Sequence, residues 1–339
     1  RSCTSCRRSH GISVRYPSGL KLAVRCHCPP RWLTYKVRWS KKLSAIDTPA
    51  PRPPGSAGPL AALTMLIPSA VIVLVFFASL AWLFQHSVLP YAPTGQEVEP
   101  GLTLAHFIKA LTDELYVQSL WVTFKLSFIA TVFAVLLGYP IAYQIVRTDS
   151  PLIRGFLVMT VAIPFLTNLI VRLYALTLVL GNTGLINKLL IATGLMAENE
   201  IFPLVRNDLG VGIGLTYFVL PFVVFTLAAA LRRLDNTLEE AAMILGANKA
   251  VTFFKVTLPL SMPGVIGAAT LSFILSVSAF ATPLILGEGN VAMIANTIYD
   301  QVLFVENIPF GAALAIIALA ITMLLLYLQA RLTRKSYRA

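Results

Sequence analysis

Charge is the scarcest thing in this 339-residue chain: Asp, Glu, Lys and Arg together make up 12% of it, against 57% hydrophobic residues. A soluble chain of this length needs far more charge to cover its surface, so the composition implies a polytopic membrane protein. The dipeptide Gly-Lys never occurs. A G-x4-G-K-[S/T] phosphate loop is therefore excluded, and the chain cannot hold ATP in the usual way. Cysteine is absent after Cys28. No Ser/His/Asp set, metal box or Gly-rich dinucleotide fingerprint appears in the hydrophobic part, where His86 and His106 stand alone. No catalytic residue, no metal site and no enzyme activity are expected. Carboxylates are missing from the middle of the hydrophobic runs, which weighs against a secondary transporter driven by an ion gradient.

What charge there is gathers at one end. Residues 1–59 hold twelve of the 27 Lys and Arg and one acid, Asp47, so the rest of the chain is nearly neutral. The net +12 is thus a property of the tail, and no nucleic-acid partner is expected. The tail carries all four cysteines in a C-x2-C-x19-C-x-C pattern: Cys3, Cys6, Cys26 and Cys28. With His10 and His27 this can be written as a zinc site. The C-x-C half, the lack of a surrounding apolar pattern and the proline-rich linker over 48–59 speak against one. Residues 1–59 are expected to be a disordered basic arm or a stretch foreign to the natural protein.

Residues 60–335 hold six hydrophobic runs, roughly 60–84, 119–146, 155–180, 209–231, 264–286 and 308–330. Each can cross about 30 Å of hydrocarbon as a helix, and helix is the form that satisfies its own backbone in lipid. The fold expected is an all-α membrane protein of six transmembrane helices. The connections 147–154 and 232–263 and the tail 331–339 carry ten Lys and Arg, against Lys109, Lys188 and Arg206 on the other side. This asymmetry places both termini and the 232–263 loop in the cytoplasm.

Within that loop, Thr237–Pro259 reads TLEEAAMILGANKAVTFFKVTLP. Thr237 and Glu240 fit a capping box. Gly246 is expected to close the first short helix, because glycine accepts positive φ. A second turn of helix from Lys249 is expected to stop at Leu258-Pro259. Glu240-Ala241-Ala242, then Gly246, then Val256-Thr257-Leu258-Pro259 resembles the EAA loop of ABC-importer permeases, with valine where that pattern has isoleucine. The resemblance implies a type I importer permease of the bacterial inner membrane. In it, Glu240, Ala241, Ala242, Gly246, Leu258 and Pro259 form the coupling helix that docks on a cytoplasmic ABC ATPase. It also implies two such ATPase subunits holding ATP and Mg, a second homologous permease, and a periplasmic or extracellular solute-binding protein. The chain itself would carry no cofactor.

Other polar residues lie in or near the runs. Asn168 and Arg172 follow Pro164 in the third run and either line a translocation path or brace it, bracing being the better fit for a cationic cargo. Lys125 is expected to snorkel outward, Ser272, Ser276, Ser278 and Thr282 to serve helix packing, and Pro283 to kink the fifth span. On the outer side, apolar helical segments are expected around 104–115 and 185–195. Asp300, Glu288 and Glu306 lie near the outer mouth and could attract a polycation. The stretches Pro164–Tyr174, Leu286–Asn290, Met293–Gln301 and Asn307–Ala313 resemble the polyamine (spermidine/putrescine) branch of these permeases. Related branches, which import ferric iron, sulfate, opines or aminophosphonates, are the alternative.

Overall fold

The computed structural model describes residues 12–15, 21–24, 59–91, 101–194 and 203–336. The four cysteines, the 48–58 linker and residues 92–100, with Glu97 and Glu99, lie outside these. The chain divides into Arg1–Pro68 and Ser69–Ala339. In the first unit, strands β1 (Ile12–Arg15) and β2 (Lys21–Val24) pair antiparallel, with Ile12 opposite Val24 and Arg15 opposite Lys21. The other elements among the described residues are helices.

Helix α1 runs Pro59–Ser87, α2 Ala105–Thr112, α3 Glu114–Arg147, α4 Pro151–Leu166, α5 Leu169–Leu180, α6 Leu185–Ala192 and α7 Asp208–Leu231. Then follow α8 Asn236–Ile244, α9 Lys249–Thr252, a π-turn at Phe253–Thr257, α10 Leu258–Val277, α11 Ala281–Gly287, α12 Ile294–Leu303 and α13 Ile308–Ser336. Six helical stretches among the described residues are long and apolar enough to cross a membrane: Ile67–Ser87, Glu114–Arg147, Leu169–Ala192, Asp208–Leu231, Lys249–Val277 and Ile308–Arg331. The all-α, six-span expectation therefore holds.

The bundle is built around α3 and α7, with α10 packed on both. Their starts are capped by side chains: Asp113 accepts from Leu115 N (3.1 Å) and Asn207 from Gly210 N (2.9 Å). Both helices open on an acid, Glu114 and Asp208, which suits the positive end of the helix dipole. Lipid tails are as apolar as leucine, so close approach of small residues rather than hydrophobicity holds such helices together. Ala134, Ala142, Ala228 and Ala268 accordingly sit in the core with Val219, Val223, Leu227 and Ile145. At Gly214 on α7, an added Cβ would lie 2.8 Å from the Thr282 methyl, so α11 can approach only because the side chain is missing. A second apolar cluster joins Leu126, Leu173, Leu215, Leu286 and Met293. A third packs Leu120 and Ile294 on Phe310, Leu314 and Ile317 of α13.

Two runs expected to be continuous are broken. The third splits at Thr167 and Asn168, because the Asn168 side-chain Oδ1 accepts from Ile170 N (2.8 Å) and starts a new helix. The fifth stops at Ser278, whose hydroxyl donates to the Leu275 carbonyl, and restarts at Ala281. Pro283 falls in the first turn of the restarted α11, where a missing N–H is harmless. It marks a break rather than the expected kink. Lys125 also differs from expectation, since its ammonium is held by Asp208 of α7 at 2.7 Å.

Candidate functional site

The loop after α7 folds as two helical pieces, with changed boundaries. The N-cap of α8 is Asp235, whose carboxylate accepts from Thr237 N at 3.0 Å. Thr237 is thus inside the helix, and the expected Thr237–Glu240 capping box does not form. An aspartate two residues upstream is the better acceptor, and taking the cap shifts the helix start back. The hydrogen bonds from Thr237 hold the exposed Asp235 carboxyl below the usual aspartate range. At the other end Gly246 has φ of +90°. Ala247 N donates to the Ala242 carbonyl (3.1 Å) and Gly246 N to the Met243 carbonyl (3.0 Å), the paired bonds of a Schellman stop.

Beyond it, Asn248 caps α9 through Val251 N at 2.8 Å. The chain does not stop at Leu258-Pro259. The π-turn carries it on, Leu258 N reaching back to the Phe253 carbonyl, and Pro259 sits in the first turn of α10. The expected second helix end is therefore the start of the next span, where proline needs no donor.

Of the two adjacent glutamates, Glu240 is exposed. Glu239 turns inward: its Oε1 accepts from Arg147 Nη2 at 2.6 Å and from Thr257 Oγ1 at 2.8 Å. Sequence reasoning missed this contact, because the capping-box reading drew attention to Glu240. Two consecutive helical residues point about 100° apart, so both glutamates could not face the same way. The solvent side of α8 is apolar at its tip, with Ile244 85% and Leu245 87% exposed. Leu238, Met243 and Phe254 are exposed around them. An exposed apolar tip on a short helix whose neighbouring segments carry the exposed Arg232, Arg233, Glu240 and Lys249 is suited to docking another protein.

The three residues considered for a path fall in two places. Asn168 spends its side chain capping α5. Arg172, one turn on, donates from Nη1 to the Pro164 carbonyl at 2.7 Å and lies 5.3 Å from the Tyr217 ring. Pro164 also accepts from Thr167 Oγ1 at 2.8 Å. The break orphans that carbonyl, and Arg172 satisfies it, so the guanidinium braces the α4–α5 junction. Asp300 is on α12, which packs on α3 and α13, whereas α5 packs on α6, α7 and α11. The structure therefore does not bring Asp300 to the Asn168–Arg172 pair. Asp300 is exposed and follows Tyr299 on α12; the Tyr299 ring packs on Phe280 (4.8 Å between centroids) and Phe304 (5.9 Å). Glu288, also placed near the outer mouth, is paired with Arg206. Among the described residues no group of three His, Cys, Asp or Glu side chains is placed to hold a metal.

Six helical stretches able to cross a membrane, with a capped helical loop between two of them that exposes an apolar tip, fit a membrane-embedded subunit that works against a partner. The chain belongs to the family described as binding-protein-dependent transport system inner membrane component, whose model matches residues 130–337. It is 36% identical over 221 residues to the spermidine/putrescine transport system permease protein PotB of Haemophilus influenzae, covering 65% of this chain and 76% of that one. It is 32% identical to PotB of Escherichia coli K12, covering 70% and 86%. The fold is shared with a bacterial ABC transporter involved in the import of alginate, at a TM-score of 0.67 and 18% identity, over 81% of this chain and 95% of that one. The chain is thus a multi-pass inner-membrane permease subunit.

Proposed function

We propose that the chain is the permease subunit of an ATP-driven importer for polyamines such as spermidine and putrescine. The observation that carries the class is the α8 loop, a rigidly capped helix presenting Ile244 and Leu245 to a partner. Its similarity to PotB supports the branch. The partner is an ABC ATPase that binds ATP and Mg, since this chain has no phosphate loop. Glu240, Ala241, Ala242 and Gly246 shape the docking helix, while Leu258 and Pro259 start the span it moves. The loop and both termini face the cytoplasm in this reading, which the Lys and Arg distribution supports. A binding protein delivers cargo on the opposite side.

A second permease completes the path, and the open 710 Å³ groove lined by Trp121, Phe124, Phe128, Phe273 and Leu325 offers an apolar face for it. The path uses the outer half, where α12 carries Asp300 together with the ring cluster Phe280–Tyr299–Phe304. Aromatic faces and a carboxylate together suit a chain of methylenes ending in ammonium groups. Asn168 and Arg172 shape the path indirectly, by holding the helix break. ATP binding closes the ATPases, displaces the docking helices and turns the permeases outward. Each ligand acts by preferring one global state.

The test is ATP hydrolysis by the complex in liposomes with its binding protein, across spermidine, putrescine, ferric iron and sulfate. Stimulation by the polyamines alone is expected. Stimulation by another solute replaces the cargo, and no stimulation by any solute overturns the class.

A further inference from the structure

Arg147 is the last residue of α3, the central helix of the bundle. It meets Glu239 of α8, 92 positions later in the sequence, at 2.6 Å. Both side chains are largely withdrawn from solvent, 14% and 15% exposed. The same Glu239 oxygen accepts from Thr257, the buried last residue of the π-turn that leads into α10. One carboxylate oxygen therefore fastens three elements together: α8, α3 and the root of α10. Around it the base of α3 is seated on the π-turn. The Phe253 ring packs edge-on against Tyr139 (5.6 Å) and Tyr143 (5.5 Å), and Tyr139 Oη bonds Ser261 Oγ of α10 at 2.8 Å.

The rest of α8 has little hold on the bundle. It packs against α9 and the π-turn, and its apolar tip is exposed. A force applied to that tip can pass inward along the backbone, through the packing on α9 and the π-turn, or through Glu239. The Glu239 contact reaches α3 directly. An ion pair shielded from water is attracted more strongly and screened less than an exposed one, and pulling it apart leaves a charge without compensation.

We propose that the Arg147–Glu239–Thr257 clasp transmits movement of the α8 helix to α3 and α10, with Glu239 acting as a positioning residue for the transport cycle. This rests on the importer reading above. The clasp makes α8 and the base of α3 move as one body, so that ATP hydrolysis is spent on reorienting the bundle.

The complete complex, with its ATPases, second permease and binding protein, is reconstituted in liposomes, and radiolabelled spermidine uptake and ATP hydrolysis are measured together. Glu239→Gln keeps an acceptor for Thr257 and removes the charge. Hydrolysis is expected to stay within about twofold of the unaltered complex, while uptake per ATP falls about tenfold. Arg147→Lys, which keeps the charge, is expected to lose no more than about threefold. The exchange Arg147→Glu with Glu239→Arg is expected to recover uptake per ATP that each single change loses. If uptake and hydrolysis fall in a fixed ratio, or the ratio does not change, the pair is a structural prop and the proposal is overturned.

A second readout needs no cargo. Spin labels at exposed Ile244 and Asp149 are expected to give one narrow distance, with and without nucleotide, that broadens in Glu239→Gln. An unchanged distance distribution overturns the clasp. If the unaltered complex takes up no spermidine, the cargo reading fails and the label distances alone decide the clasp.

Discussion

Two residues at the ends of α8, the proposed docking helix, set whether it forms before it meets a partner. Gly246 has open space where a Cβ would go, so a substitution there is opposed by backbone conformation and not by contact. At φ of +90° an L side chain costs about 1 kcal/mol. Gly246→Ala is therefore expected to fray the Schellman stop and lower uptake partially. Gly246→Asp adds a charge beside the apolar tip and is expected to abolish uptake while membrane insertion is retained. Uptake assays paired with quantitation of membrane-inserted protein check the order; normal uptake by the Asp variant would remove the docking role from this loop. Asp235 makes the opposite end of α8 sensitive to acid. Its folded-state pKa lies below the unfolded value, so its contribution is present above about pH 4, the ordinary aspartate range, and is lost as pH falls through the folded pKa. Amide exchange in α8 is expected to lose protection on acidification below that range. Asp235→Asn, which caps without titrating, is expected to abolish this pH dependence.

Among elements, the breaks in the third and fifth spans are the least expected feature and the most informative. At the α4–α5 junction a half-buried guanidinium sits in a membrane helix and bonds a backbone carbonyl. Such a charge is tolerated only when the alternative is worse. Here the alternative is the Pro164 carbonyl, left by the break with only the Thr167 hydroxyl. Arg172→Met is expected to destabilise the bundle by about 2 kcal/mol, the cost of an under-satisfied buried group. The apparent KM for spermidine is expected to stay unchanged. A thermal melt in detergent beside uptake kinetics separates this brace from a substrate contact, since a contact moves KM. The six spans were legible in the sequence because long apolar runs have one solution in lipid. The breaks were not, because Thr167-Asn168 and the serines up to Ser278 read equally well as polar residues within a continuous span. Only the bonds they make, to Ile170 N and the Leu275 carbonyl, show that a helix ends there. The same limit governed the loop. The Glu240-to-Pro259 spacing was readable, but the role of Glu239 depends on Arg147, 92 positions away, and no local pattern links them. Leu258-Pro259 was taken for a stop because proline opens and closes helices by the same lack of a donor, and the π-turn before it was invisible.

At the scale of the whole molecule the question is which energy source turns the bundle. An ion-coupled carrier needs a carboxylate or comparable ionisable group near mid-membrane, where protonation or ion binding can alternate. Among the described residues, the carboxylates inside the spans are Glu114 and Asp208, each the first residue of its helix. Asp208 is already engaged by Lys125. Among the described residues, the buried polar side chains are Ser, Thr and Asn, and no Asp, Glu, Lys or Arg is fully buried. This pattern fits the proposed reading in which work enters from outside the bundle. The exposed tip of α8 is the element suited to receive it, being apolar, capped at both ends and fastened to α3. Replacing the phosphate-loop lysine of the partner ATPase is therefore expected to stop spermidine uptake in liposomes. Collapsing the proton and sodium gradients with ionophores, at constant ATP, is expected to leave it intact. Uptake that survives the lysine replacement and fails with ionophores would mean that the bundle moves on an ion gradient, and that the α8 loop is an ordinary amphipathic connection between spans.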